Sequence, residues 1–366
     1  MIGGAFSVDP SATWRWAFYI NLPLAGALAP IYILLFPNNI PQREIPTLTK
    51  LARIDWVGAV LNASTWVFFI VALTFSGSDW AWSSGGAIAM WVLFAVSLVI
   101  FVTQQGLALF TTKERRLFPV HLLRSRTMLA LFVATAAASA ATAICIYYIP
   151  LLFQFSRGDS ALRAAVRLLP FIIPNVVAMM FNGALLPVTK RYTPWYIAGG
   201  VFILVAGCLL YEISPTTHTA AIYGFEVLAS IGGGLTFQIG YSVVAAKLKG
   251  TDIPAGIGYI NVSQIGSMAI ALTIAGSIFQ NVGLQNLKRA MASYNLPEDL
   301  LRAALAGAQS AASGAFTPEM QQQIVASVVK TISTVFTLEL AAGAVMLVAA
   351  GVMSWEKLNM DMAAGA

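Results

Sequence analysis

The chain has 366 residues, of which 58% are hydrophobic and only 10% charged, and its mean hydropathy is +0.77. Such values lie far outside those of a soluble domain and place the chain in a lipid bilayer. The net charge of +6 does not indicate nucleic acid, because the basic residues sit in short clusters between apolar runs, as membrane topology requires.

A spanning helix needs about 20 mostly apolar residues. Nine such runs are predicted, near 16–36, 55–75, 86–105, 127–153, 161–188, 193–213, 219–245, 255–283 and 331–353. The alternating segments of an outer-membrane barrel are absent, so the expected fold class is all-α, a polytopic helical membrane protein. The first ten residues lack the basic start and cleavage site of a secretory signal, so the first span is expected to be retained. Trp14, Arg15 and Trp16 open that span as an interfacial anchor, indoles at headgroup level and Arg on lipid phosphate. Asn21 and Pro23 either shape a site or kink the helix.

With the N-terminus outside, thirteen of the 21 Lys and Arg residues fall on the inner side, including Lys113, Arg115, Arg116, Arg124 and Arg126 in one connection. This bias predicts a cytoplasmic C-terminus. Cys145 and Cys208 fall inside predicted spans and form neither a disulfide framework nor a metal site. No cofactor and no metal is expected.

Polar residues in hydrocarbon are costly and turn towards protein or water. In the seventh span Glu226, Ser230, Gly234, Gln238 and Ser242 recur at i,i+4 spacing, with Tyr241 beside the last two. Asn261, Gln264 and Met268 align on the eighth span, Asn175, Met179 and Asn182 on the fifth, and Thr135, Ser139 and Thr142 on the fourth. Mixed polar and apolar faces on four helices suit a central cavity for amphipathic cargo. The competing reading is that these groups bond between neighbouring helices, at about 0.6 kcal/mol each.

Glu226 is a carboxylate several residues inside a span, and is the candidate for proton coupling. The alternatives are an ion pair with Arg163 or Arg167, or a hydrated position near the headgroups. Gly232, Gly233 and Gly234 lie within an apolar helix rather than after a strand, which points to close helix approach or bending and not to a phosphate loop. Pro150, Pro170, Pro174 and Pro187 are expected to kink the fourth and fifth spans. Residues 284–330 are read as a long external loop with helix starts at Asn295–Pro297 and at Thr317–Pro318, forming a small cap.

Several stretches carry a family resemblance: GGAF at 3–6 followed by WRWAFYINLP at 14–23, IDWVGAVL at 54–61, RLFPVHLLRSR at 116–126, GFEVLASIGGGLTFQ at 224–238 and INVSQIGSMAIALTIAGSIFQN at 260–281. The sequence resembles a fungal major facilitator superfamily transporter of the fourteen-span drug:proton antiporter type. In that resemblance Gly3 and Gly4 correspond to the end of the antiporter motif on the fifth span, so the first four spans and most of the fifth are missing. The implied domains are 1–36 as the last span of the first half, 37–126 as a two-span insert, 127–353 as a complete C-terminal six-helix half, and 354–366 as a cytoplasmic tail. GALLPVTKRYTP at 183–194 resembles a degenerate copy of the family's cytoplasmic loop motif.

The resemblance implies proton-coupled export of amphipathic small molecules. Its implied partners are such a substrate, protons and the lipid bilayer, with no nucleic acid, and its implied location is the plasma membrane, the vacuolar membrane being the alternative. The second functional reading is a non-transporting membrane fragment. An enzyme is not expected, since His121 and His218 stand alone in loops and no nucleophile–base spacing occurs.

Overall fold

The computed structural model describes residues 2–8, 13–36, 45–250, 252–307 and 316–358. The predicted boundary at 36/37, Arg43 and the tail beyond 358 lie outside them. Among the described residues nine helical segments are long and apolar enough to cross a membrane. The chain begins with α1 (Ile2–Val8), α2 (Trp16–Tyr19), α3 (Asn21–Leu34) and α4 (Thr47–Ala52). Gly4 of α1 lies against the backbone of Ala161 and Leu162, where a Cβ would sit 3.2 Å from either. No residue of α3 is buried.

Helices α5 (Trp56–Phe75) and α6 (Gly85–Leu107) pair lengthwise. Asp55 caps α5 by accepting from the Gly58 amide at 2.8 Å, and its carboxylate also accepts from Gln104 Nε2 at 3.1 Å, Gln105 Nε2 at 2.7 Å and the Leu117 amide at 3.2 Å. One buried carboxylate thus ties the start of α5, the end of α6 and the following connection together. Gly58 is required there, because a Cβ would lie 2.4 Å from Asp55 Oδ2. At the opposite end Gly77 adopts φ +82° beside Asn281, whose Nδ2 donates to the Ser76 carbonyl at 3.4 Å.

The six-span bundle comprises α7 (Arg126–Arg157), α8 (Ala161–Arg167), α9 (Leu169–Thr189), α10 (Thr193–Tyr211), α11 (Thr219–Phe237), α12 (Ile239–Lys247), α13 (Asp252–Ala290), α14 (Glu298–Leu305), α15 (Pro318–Val335) and α16 (Thr337–Val352). Helix α13 has 39 residues and so runs about 58 Å, well beyond a 30 Å hydrocarbon core. Its last turns bury Leu284 and Leu287. The segment predicted as a loop over 284–330 is therefore helical along much of its described length, and α14 buries Leu301, Ala304 and Leu305. Thr317 caps α15, its hydroxyl accepting from the Met320 amide at 3.4 Å. Asn295 instead closes a 3-10 turn in the left-handed region at φ +46°.

Within the six-span bundle three spans are interrupted, at Leu168, Gln238 and Phe336. The first break precedes Pro170, which has no amide hydrogen to continue α8. The other prolines do not end helices: α7 continues through Pro150, and α9 through Pro174 and Pro187.

Helices α10, α11 and α16 meet through glycines. A Cβ on Gly207 would lie 2.6 Å from the Leu340 amide nitrogen, one on Gly343 2.5 Å from that of Leu204, and one on Gly232 2.7 Å from the Gly199 carbonyl oxygen. The glycine triplet serves close approach, as its sequence suggested. The apolar core divides into two clusters, one reaching Ile144 on α7 and the other ending at Ala141, with Thr142 at the division.

The tail closes the far end of the bundle. Ser354 Oγ meets the Tyr192 hydroxyl at 2.9 Å, Thr193 Oγ1 donates to the Ser354 carbonyl at 2.9 Å, and the Leu358 amide donates to the Lys190 carbonyl at 2.7 Å. Lys247 forms an ion pair with Glu356. That lysine, then the Ser354 hydroxyl, holds the Glu356 carboxyl below the usual carboxylate range; Lys288, then Arg302, does the same for Glu298 on α14.

Two outcomes follow from these contacts. Gly207→Val or Gly343→Val forces backbones apart and costs about 1–3 kcal/mol, read as a lower unfolding temperature in micelles while Gly276→Ala, in open space, leaves it unchanged. Depressed carboxyl values mean that the Glu356 and Glu298 contacts are complete above the ordinary carboxylate range and are lost as pH falls through the lowered values. Hydrogen-exchange protection at Leu358 and across α14 accordingly drops below about pH 4 and is constant between about pH 5 and 7.

Candidate functional site

The polar residues of the fourth, fifth, seventh and eighth spans divide into three groups. The first lies where α11 breaks. The Phe237 carbonyl accepts from Gln264 Nε2 at 2.7 Å, so a side chain from α13 supplies the donor that the interrupted backbone lacks. The Tyr241 hydroxyl sits 2.8 Å from Gln264 Oε1 and 2.6 Å from Asn261 Oδ1. Gln264 is buried, whereas Asn261 is exposed and borders, with Asn62 and Trp66 of α5, a cavity of about 370 Å3. Gln238, at the break itself, is exposed.

The second group lies at the division of the core. Asn175 Nδ2 donates to the Ser230 carbonyl at 3.0 Å, and a Cβ on Gly233 would lie 2.7 Å from Thr142 Oγ1 and 3.3 Å from Asn175 Nδ2. Thr142, Asn175 and Gly233 therefore converge from α7, α9 and α11. Thr142 donates back to the Ala138 carbonyl at 2.9 Å. Further along α9, Met179 is half-buried, and Asn182 is buried with its Nδ2 unpartnered. Of the predicted polar faces, the structure brings together Tyr241, Asn261 and Gln264 in one cluster and Thr142 and Asn175 in another.

The third group is acidic. Glu226 is fully buried and neither of its carboxylate oxygens has a hydrogen-bond partner. Neither arginine weighed for it in sequence forms an ion pair with it: Arg167 pairs with Asp159 and reaches the Tyr223 hydroxyl at 3.1 Å, though it lies within electrostatic reach of Glu226, while Arg163 lies 3.7 Å from Asp159. A second carboxylate, Glu339 on α16, is also fully buried. Its Oε2 accepts from the Cys145 thiol at 3.0 Å, and its Oε1 is unpartnered. Cys145 on α7 lies within electrostatic reach of both acids. An ionised carboxylate buried without a partner costs several kcal/mol, and a bound proton removes that cost. The arrangement is suited to holding protons between three helices.

Sequence reasoning singled out Glu226 and passed over Glu339: each is an acid within an apolar run, but only Glu226 lies on a polar stripe. It also passed over a crevice between α7 and α13 at the α14 end, bordered by Tyr147, Tyr148, Gln154 and Gln280. Near the N-terminus, Arg15 stacks over the Trp14 ring at 5.1 Å, Trp14 and Trp16 are exposed, and Asn21 Nδ2 donates to the Phe18 carbonyl at 3.1 Å. Pro23 falls in the first turn of α3. Gly3 faces Ala17, where a Cβ would be 3.5 Å from its methyl.

No protein-family model matches the chain. It is 37% identical over 359 residues to the efflux pump patC of Aspergillus clavatus, covering 98% of this chain and 65% of that protein. The MFS-type transporter patC of Penicillium expansum is 37% identical over 95% of this chain and 64% of its own length. The efflux pump alnA of Emericella nidulans is 35% identical over 100% of this chain and 66% of its own length. The chain thus spans about two thirds or less of the length of the curated relatives it matches. With nine apolar spans among the described residues, this multi-pass membrane protein is similar over nearly its whole length to fungal MFS-type transporters and efflux pumps.

Proposed function

We propose that the chain supplies the second half and the linking spans of a proton-coupled exporter of amphipathic small molecules, working in the plasma membrane with its α14 end outside. Residues 1–36 act as the last span of the first half, 37–126 as the insert and 127–353 as the six-helix half. The observation that carries the reading is a pair of buried carboxylates on two helices that flank α7, Glu226 with both oxygens unpartnered and Glu339 with one oxygen unpartnered and the other on the Cys145 thiol. A bundle stabilised only by packing gains nothing from such groups. Groups that take up and release a proton as the helices move give them a use.

In this reading Thr142, Asn175, Met179 and Asn182 face the cargo path near the division of the core. Tyr241, Asn261, Gln264 and Gln238 form its lower end, where the α11–α12 break provides a hinge held by a single side-chain hydrogen bond. Proton binding at Glu339 changes what the Cys145 thiol donates to, and so alters the contact between α7 and α16. Export of amphipathic cargo agrees with the names of the relatives and with the mixed polar and apolar faces.

Cells expressing these 366 residues should extrude a fluorescent amphipathic dye faster than control cells, and the gain should vanish when the proton gradient is collapsed. Equal extrusion would leave a non-transporting fragment as the better account. Glu226→Gln and Glu339→Gln should each abolish the proton-driven part of export while leaving membrane insertion unchanged. Proton-driven export that survives in either variant removes that residue from coupling.

A further inference from the structure

Two adjoining cavities, of about 500 and 340 Å3, share Tyr147, Tyr148, Gly276 and Gln280 and form one crevice between α7 and α13 at the α14 end. The larger lies within the range of small-molecule sites. Tyr147 and Tyr148 place their rings 5.1 Å apart, and Phe279 is 6.0 Å from Tyr148. Neither tyrosine hydroxyl, nor the amide of Gln154 or Gln280, is hydrogen-bonded to another described residue, so four polar groups around an aromatic surface are uncommitted. The crevice has one charged lining residue, Asp159, and its carboxylate is already engaged by Arg167 and faced by Arg163. Neither arginine lines the crevice, so with Asp159 neutralised the lining carries no uncommitted charge.

We propose that this crevice is a binding site for uncharged ring compounds bearing carbonyl or hydroxyl oxygens, and that it rejects cations of similar size. Aromatic faces give apolar area, the glutamine amides and tyrosine hydroxyls meet oxygens from either side, and a lining with no free carboxylate leaves a cation's charge unpaired. The proposal rests on the export reading, since it names the cargo class that the outer end of the path accepts.

The test uses the full chain in lipid nanodiscs with two fluorescent probes, 7-methoxycoumarin, which is uncharged, and ethidium, a cation. Saturable binding is expected for the coumarin and not for ethidium. Tyr147→Ala and Gln280→Leu should each weaken coumarin binding about fivefold, the effect of one lost hydrogen bond or ring contact. Gln280→Glu should admit ethidium, a gain that misfolding does not produce. Ethidium binding equal to that of coumarin in the unaltered chain, or coumarin binding indifferent to both truncations, overturns the proposal. Coumarin displaced merely by raising the lipid-to-protein ratio makes an acyl chain the occupant and overturns it as well. Dye export measured beside these assays separates the two readings: export without coumarin binding counts against the crevice, and coumarin binding without export counts against transport by this chain.

Discussion

In hydrocarbon a broken helix exposes carbonyls that no water can satisfy, and this constraint governs where the chain is allowed to bend. Each of the three interruptions in the six-span bundle is met locally. At Phe237 the missing donor comes from Gln264 across a helix boundary. At the Phe336 break Thr337 Oγ1 donates to the Thr334 carbonyl at 2.7 Å. The break before α9 falls at a proline, where an amide hydrogen is absent in any case. Bends are thereby confined to places where a side chain can take over from the backbone, and two of the three involve helices that bear a buried acid.

The bundle also has two kinds of seam. Between α10, α11 and α16 the backbones touch through Gly199, Gly207, Gly232 and Gly343, leaving no room for even a methyl group. Between α7 and α13 the contacts run through side chains, with Tyr259 Oη donating to the Met128 carbonyl at 3.1 Å and Ser263 Oγ to that of Phe132 at 2.6 Å. Glycine seams permit little sliding, because any shift meets main-chain atoms. Hydrogen-bonded seams exchange partners more readily.

Hydropathy alone located the spans, since length and apolar composition are what a bilayer selects: predicted 55–75 and 193–213 stand beside observed Trp56–Phe75 and Thr193–Tyr211. The interruptions at Gln238 and Phe336 were not legible, because one residue leaving the helix hardly alters composition. The amphipathic continuation of α13 to Ala290 was read as loop for the opposite reason, its polar face lowering the average. Glu226 was visible as a lone acid on a polar stripe. Glu339 lacks such a stripe, and what distinguishes it, a thiol on a helix almost 200 residues earlier, is a tertiary fact. The crevice residues Tyr147 and Gln280 come from separate helices and share no local pattern. Asp55 drew no notice in sequence, and three of its partners, Gln104, Gln105 and the Leu117 amide, arrive only when α6 and its connection fold back.

The two cysteines differ in a way that makes the bundle self-reporting. Cys208 is exposed on α10, while Cys145 is sealed among α7, α11 and α16 beside the carboxylates. A membrane-permeant maleimide therefore marks the first at once and the second only during excursions in which those helices part, so the ratio of the two alkylation rates is a clock for opening that needs no engineered label.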